Sequence, residues 1–140
     1  MASPPADPAP GLGFEQEECA LLADPRLQAA VDLFNQQEWY ACHDGFEELW
    51  HETAGPLRPV LQGFLQIAVG HLHLERGNRR GAVVLLGEGL GRLRDCGDQA
   101  LGLDLSLLRE RSVARLQALQ SDGEAESLPP PRLQPCTTPG

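Results

Sequence analysis

Apolar positions recur at helical spacing along most of the middle of the chain. Asp24-Pro25 reads as a helix start, because Asp caps free amides and Pro tolerates the first helical position. Leu27, Ala30, Val31 and Phe34 then share one face, and Asn35-Gln36-Gln37 marks the exit. A second helix is predicted over 38–52, carrying Trp39, Cys42, Phe46 and Leu49, until Thr53-Ala54-Gly55-Pro56 breaks it. A third runs over about 57–76 and is apolar nearly all round. Gly77-Asn78 closes it and caps a fourth over 79–94, whose inward positions are Ala82, Leu85, Leu86, Leu90 and Leu93. Gly81, Gly87, Gly89 and Gly91 each cost this helix roughly 1 kcal/mol against Ala, so it needs close packing to form. After a turn-rich linker, Asp104 caps a last helix to 120 through Leu105, Leu108, Val113, Leu116 and Leu119. No stretch alternates with period two for long enough to make a strand, so the predicted class is all-α: about five helices built on an antiparallel helical hairpin.

The hairpin carries a polar pattern that packing alone does not require. His43 and Glu47 stand four apart and Trp50 three further on, which puts all three on one face of the second helix. Counting away from the short turn sets Trp50 near Leu61 and Gln62, Glu47 near Gln66, and His43 near Val69 or Gly70. Gln62, Gln66, Val69 and His73 share one stripe of the third helix by the same arithmetic. Two polar surfaces are therefore expected to face each other.

Composition narrows the class. With 140 residues, 41% of them hydrophobic, the chain suits one domain with a core of its own. Residues 1–23 are Pro-rich and acidic and 121–140 Pro-rich, so both are expected to be disordered around a domain over 24–120. The formal charge of −9 and the absence of any lysine argue against nucleic acid or an anionic membrane as partner. The same absence excludes Schiff-base chemistry and a P-loop lysine. Cys19, Cys42, Cys96 and Cys136 form no CxxC pair, and no apolar run is long enough to span a membrane, so a soluble cytoplasmic setting is the expectation. Charge is uneven: 24–52 holds seven acids against Arg26, whereas 57–94 holds six arginines against Glu75 and Glu88, and the two halves should attract each other.

Asn35, the segment from Trp39 to Trp50 with His43, Asp44, Glu47 and Trp50, and the run from Leu61-Gln62-Gly63 through Gln66 to Arg76-Gly77-Asn78 together resemble the bacterial and plastid family catalogued as domain of unknown function 309. The resemblance covers about residues 25–95. In that family the histidine is usually followed by Glu, where this chain has Asp44. The resemblance implies a small helical bundle with a polar cluster, and no established activity, cofactor or partner.

Several kinds of chemistry suit the cluster. His43, Asp44, Glu47, Trp50, Gln62, Gln66 and His73 could form a buried hydrogen-bonded network that sets the register of the hairpin. They could instead line a pocket for a small molecule or peptide between the two helices, which makes the chain a binding or protein-interaction module. The alternative is a metal-dependent, hydrolase-like enzyme, with His43 and Glu47 as ligands, His73 or His71 as a third, and Asp44 supporting them from off the face. Against it, no carboxylate lies on the facing stripe of the third helix, so the sequence assigns no metal and no cofactor. Asn78, Arg79 and Arg80 form a candidate anion site, because arginines in a first helical turn oppose the helix dipole.

Overall fold

Each apolar stripe buries itself against a neighbouring helix. A computed structural model describes residues 10–136, with side chains from residue 13. Its α-helices are α1 (Pro10–Ala23), α2 (Pro25–Asn35), α3 (Trp39–Glu52), α4 (Arg58–Glu75), α5 (Arg79–Leu93) and α6 (Leu105–Gln120). The Asp24 side chain accepts from the Arg26 amide at 2.9 Å, Asn78 caps α5 through Gly81 N, and Asp104 caps α6 through Leu107 N. None of the described helices is long and apolar enough to cross a membrane.

The core is organised by aromatic rings from three helices. Phe34, Phe46 and Phe64 are fully buried, with Phe46 6.4 Å from Phe34 and 5.5 Å from Phe64 between ring centroids. Trp39 near the start of α3 lies against His71 near the end of α4, while Phe46 meets Phe64 further back along α4. The two contacts run in opposite directions along the helices, so the hairpin is antiparallel.

Close backbone approach explains part of the glycine content of α5. A Cβ on Gly89 would stand 3.1 Å from Gly63 O and 3.2 Å from Ile67 N across the α4–α5 seam, whereas one on Gly87 would meet nothing. Overpacking costs about 1–3 kcal/mol and helix propensity returns roughly 1, so Gly89→Ala should lower the denaturation midpoint while Gly87→Ala raises it. Equal shifts for the two variants in urea titrations would mean that the seam is not closely packed.

The elements at both ends depart from expectation. Residues 1–23 are not a loose segment throughout, since α1 docks: Leu21 is buried, Glu17 Oε1 accepts from Leu57 N at 2.6 Å and Glu18 Oε2 from Leu101 N at 2.7 Å. Its carboxylates satisfy backbone amides left free by turns, an interaction that local composition does not reveal. Residues 1–9 lie outside the described residues. The tail is likewise held from 121 to 136, with a 3-10 turn at Ala125–Ser127, buried Ala125 and Leu133, and Asn35 exchanging two hydrogen bonds with the Leu133 backbone at 2.8 and 2.9 Å. Proline-rich chain lacks donors, and here arginine and asparagine side chains bring donors to its carbonyls; residues 137–140 lie outside the description.

The linker before α6 also holds a two-residue ladder, β1 (Gln99–Ala100) with β2 (Leu103–Asp104), too short to leave a period-two pattern. Its turn places Leu101 and Gly102 at φ 55 and 70, as a tight hairpin requires.

Candidate functional site

Helical rotation decides where the polar face of α3 ends up. Trp39, Cys42, Phe46 and Leu49 are the buried residues of this helix, and they form a continuous stripe at spacings of three and four. His43, Glu47 and Trp50 each follow a stripe residue by one position, about 100° round the helix, and are only partly buried. The expected apposition of two polar surfaces is therefore corrected: α3 meets α4 through Phe46, Phe64, Trp39 and His71, and the polar face lies on the flank. Burial pushes the Cys42 thiol up to about 12, as for a packing residue.

On that flank three groups converge. His43 Nε2 lies 2.9 Å from Glu47 Oε2, and His43 Nδ1 lies 3.2 Å from Asp44 Oδ1. Nδ1 is nevertheless sealed from solvent without an aligned hydrogen-bond partner, so its approach to Asp44 is a close contact and not a hydrogen bond. Donor atoms from His43, Asp44 and Glu47 all fall within 4.8 Å of one another. Asp44 thus joins the pair rather than supporting it from a distance. His51, which has no role among the candidates above, stands one turn on with Nε2 3.5 Å from Glu47 Oε1; its i,i+4 spacing from Glu47 is the signal for it.

The α4 candidates go elsewhere. Gln66 Nε2 donates to Glu88 Oε2 at 3.1 Å, toward α5 and away from Glu47, and Gln62 is half-buried on the same helix. His73 Nδ1 lies 3.2 Å from Asn78 Nδ2 at the α4–α5 turn. Trp50 keeps a buried Nε1 without partner, and its ring is covered by the Arg58 guanidinium at 4.1 Å, which also donates to the carbonyls of Trp50 and Thr53. None of the main surface depressions among the described residues is lined by His43, Glu47 or Trp50.

The proposed anion site is dismantled by its own arginine. Arg79 donates to the carbonyls of Leu119 and Ala118 at the end of α6 and of Gly123 just beyond it, where the negative end of the helix dipole attracts a cation. Arg80 is exposed. The attraction expected between the acidic and basic halves likewise takes a different form: Arg26 gathers Asp24, Glu48 and Glu52 at 2.6–2.9 Å within its own half. That guanidinium holds the Asp24 carboxyl below the usual carboxylate range.

A second polar locus was missed. In α6 the buried residues are Leu105, Leu108, Ser112, Arg115 and Leu119, whereas Val113, expected inward, is exposed. Spacings of three, four, three and four identify that stripe in the sequence, with Ser112 and Arg115 as its polar members. Arg115 and His71 line one side of a cavity of about 250 Å³ together with Gln37, Trp39, Leu74, Glu75 and Glu126. Burial pushes His71 down to about 4, against the hydrogen bond to Ile67, with Arg115 adding to the fall. A larger depression, about 500 Å³ between Phe14, Pro59, Gly91 and Arg92, gathers no comparable set of buried polar atoms.

Residues 27–85, from α2 into α5, match the family model described as Domain of unknown function (DUF309). No curated protein matches the chain.

Proposed function

From the premise that residues 27–85 belong to the domain of unknown function 309 family, we propose that this chain is a binding module whose α3 flank takes up a divalent transition-metal ion. What supports the reading is one observation: an imidazole and two carboxylates from His43, Asp44 and Glu47 bring their donor atoms within 4.8 Å of one another. Mixed nitrogen and oxygen donors suit zinc and its neighbours better than calcium or magnesium, which prefer oxygen alone. A Glu and Asp flanking one His also form a surface ion-pair group of little energetic value, so their convergence contributes little to folding.

Three protein ligands leave at least one coordination position open. That openness favours a second reading, in which His43, Asp44 and Glu47 would together hold the ion and the ion would supply a Lewis acid able to acidify a bound water for hydrolysis. The half-exposed position of the group gives a substrate direct access.

Calorimetric titration with zinc chloride tests both readings at the binding step. The wild type should bind one equivalent, and His43→Ala and Glu47→Gln should each weaken binding on the order of a hundredfold, the upper end of the penalty for disturbing a metal site. Without metal, Glu47→Gln should keep its stability to within about 0.5 kcal/mol, as expected for a partly exposed substitution. Equal zinc affinity in wild type and His43→Ala would remove the proposal.

A further inference from the structure

The cavity between α3, α4 and α6 holds polar atoms that nothing in the protein satisfies. His71 is 1% exposed, and its Nδ1 lies 2.9 Å from the Ile67 carbonyl. A carbonyl accepts only, so Nδ1 carries the proton and Nε2 presents a bare lone pair, buried and without a donor. Arg115 is 6% exposed; its Nη2 donates to Leu128 O at 2.8 Å, but its Nε has no partner and no carboxylate forms an ion pair with it among the described residues. A guanidinium stays charged, and the Glu126 carboxylate acts on it only through space, so its buried Nε is left without an acceptor, which is costly. A single water could meet the lone pair of His71 but would leave the guanidinium without the directly paired carboxylate that its buried Nε and charge call for.

The remaining walls restrict what else can enter. Glu75 and Glu126 bring carboxylates to the same cavity, Trp39 and Leu74 supply apolar surface, and the chain carries −9 overall. A simple anion would meet Arg115 but also two carboxylates, and a simple cation would leave Arg115 unanswered. A molecule carrying both charges a few bonds apart satisfies every group at once. We infer that this cavity binds a free α-amino acid, its carboxylate on the Arg115 guanidinium and its ammonium toward His71 Nε2, Glu75 and Glu126. The volume of about 250 Å³ admits a small or medium side chain along Trp39 and Leu74. Arg115 and Glu126 lie beyond residues 27–85, so the site is completed by α6 and the docked tail.

The test is a thermal-shift screen of the full chain with the standard L-amino acids at millimolar concentration, with chelator present so that metal binding on α3 cannot contribute. Each amino acid that raises the melting temperature is compared by calorimetry with its decarboxylated amine and its deaminated acid. At least one amino acid should bind, and both truncated compounds should bind on the order of a hundredfold more weakly, the scale for losing one partner of a buried charge pair. Arg115→Met should abolish the ligand-induced shift; it also removes the donor to Leu128 O, so its ligand-free melting temperature is the baseline against which the shift is read. Absence of a shift with every amino acid, equal binding of the acid or the amine alone, or a shift retained in Arg115→Met would each overturn the inference. The comparison among the three compounds uses the wild type and stands even if the variant fails to fold.

Discussion

Phe46→Ala is expected to destabilise the protein by about 3–5 kcal/mol, the range for emptying a fully buried aromatic position. Its ring sits between Phe34 of α2 and Phe64 of α4, so deletion leaves a void shared by three helices, none of which can close it alone. Neighbouring Gly45 keeps α2 and α3 close: a Cβ there would stand 3.1 Å from that of Ala30, which limits how far the helices can shift to fill the space. Because total stabilities of small domains are about 5–15 kcal/mol, the variant should show a much lower denaturation midpoint with an unchanged slope in urea. A loss below about 1 kcal/mol would mean that the three rings are not the centre of the core.

Acid should weaken this fold through His71. Burial lowers the folded pKa from an ordinary 6.5 to about 4, so between those values the unfolded chain binds the proton and the folded chain does not. Stability from this source is therefore full above about pH 6.5 and is lost as pH falls toward 4. At 1.36 kcal/mol per pKa unit, the loss amounts to about 3 kcal/mol. The charged groups facing the ring all bear on its size: Arg115 from α6 opposes protonation, while Glu75 of α4 and Glu126 of the tail line the same cavity. Urea titrations of wild type and His71→Gln at neutral pH and near pH 4.5 isolate the effect, since other carboxylates titrate alike in both. The wild type should lose more stability than the variant on acidification, and parallel losses would show that His71 is charged in the folded state.

The candidate residues are legible in unequal measure. The contact between His43 and Glu47 follows from their four-residue spacing, which is a property of one helix and survives any tertiary arrangement. Gln62, Gln66 and His73 were assigned to the same cluster by assuming that polar surfaces face each other, yet Gln66 reaches Glu88 and His73 lies by Asn78. The spacing of Trp39, Cys42, Phe46 and Leu49 already carried the correction, because the apolar stripe takes the interface and its polar neighbour is turned about 100° away. Arg115 was overlooked because a charged residue on an apolar stripe reads as an interruption, when it marks a cavity.

What the sequence by itself determined is everything governed by neighbours a few residues apart. The all-α class, five of the helices, their caps at Asp24, Asn78 and Asp104, and the antiparallel hairpin follow from periodicity, capping chemistry and short connections. Only the tertiary structure decided the docking of α1 and the tail, the capture of α6 carbonyls by Arg79, and the meeting of His71 with Arg115. The reason is range. Partners such as Asn35 and Leu133 are 98 positions apart, and long arginine and glutamate side chains reach whichever unpaired backbone group the packed helices bring near.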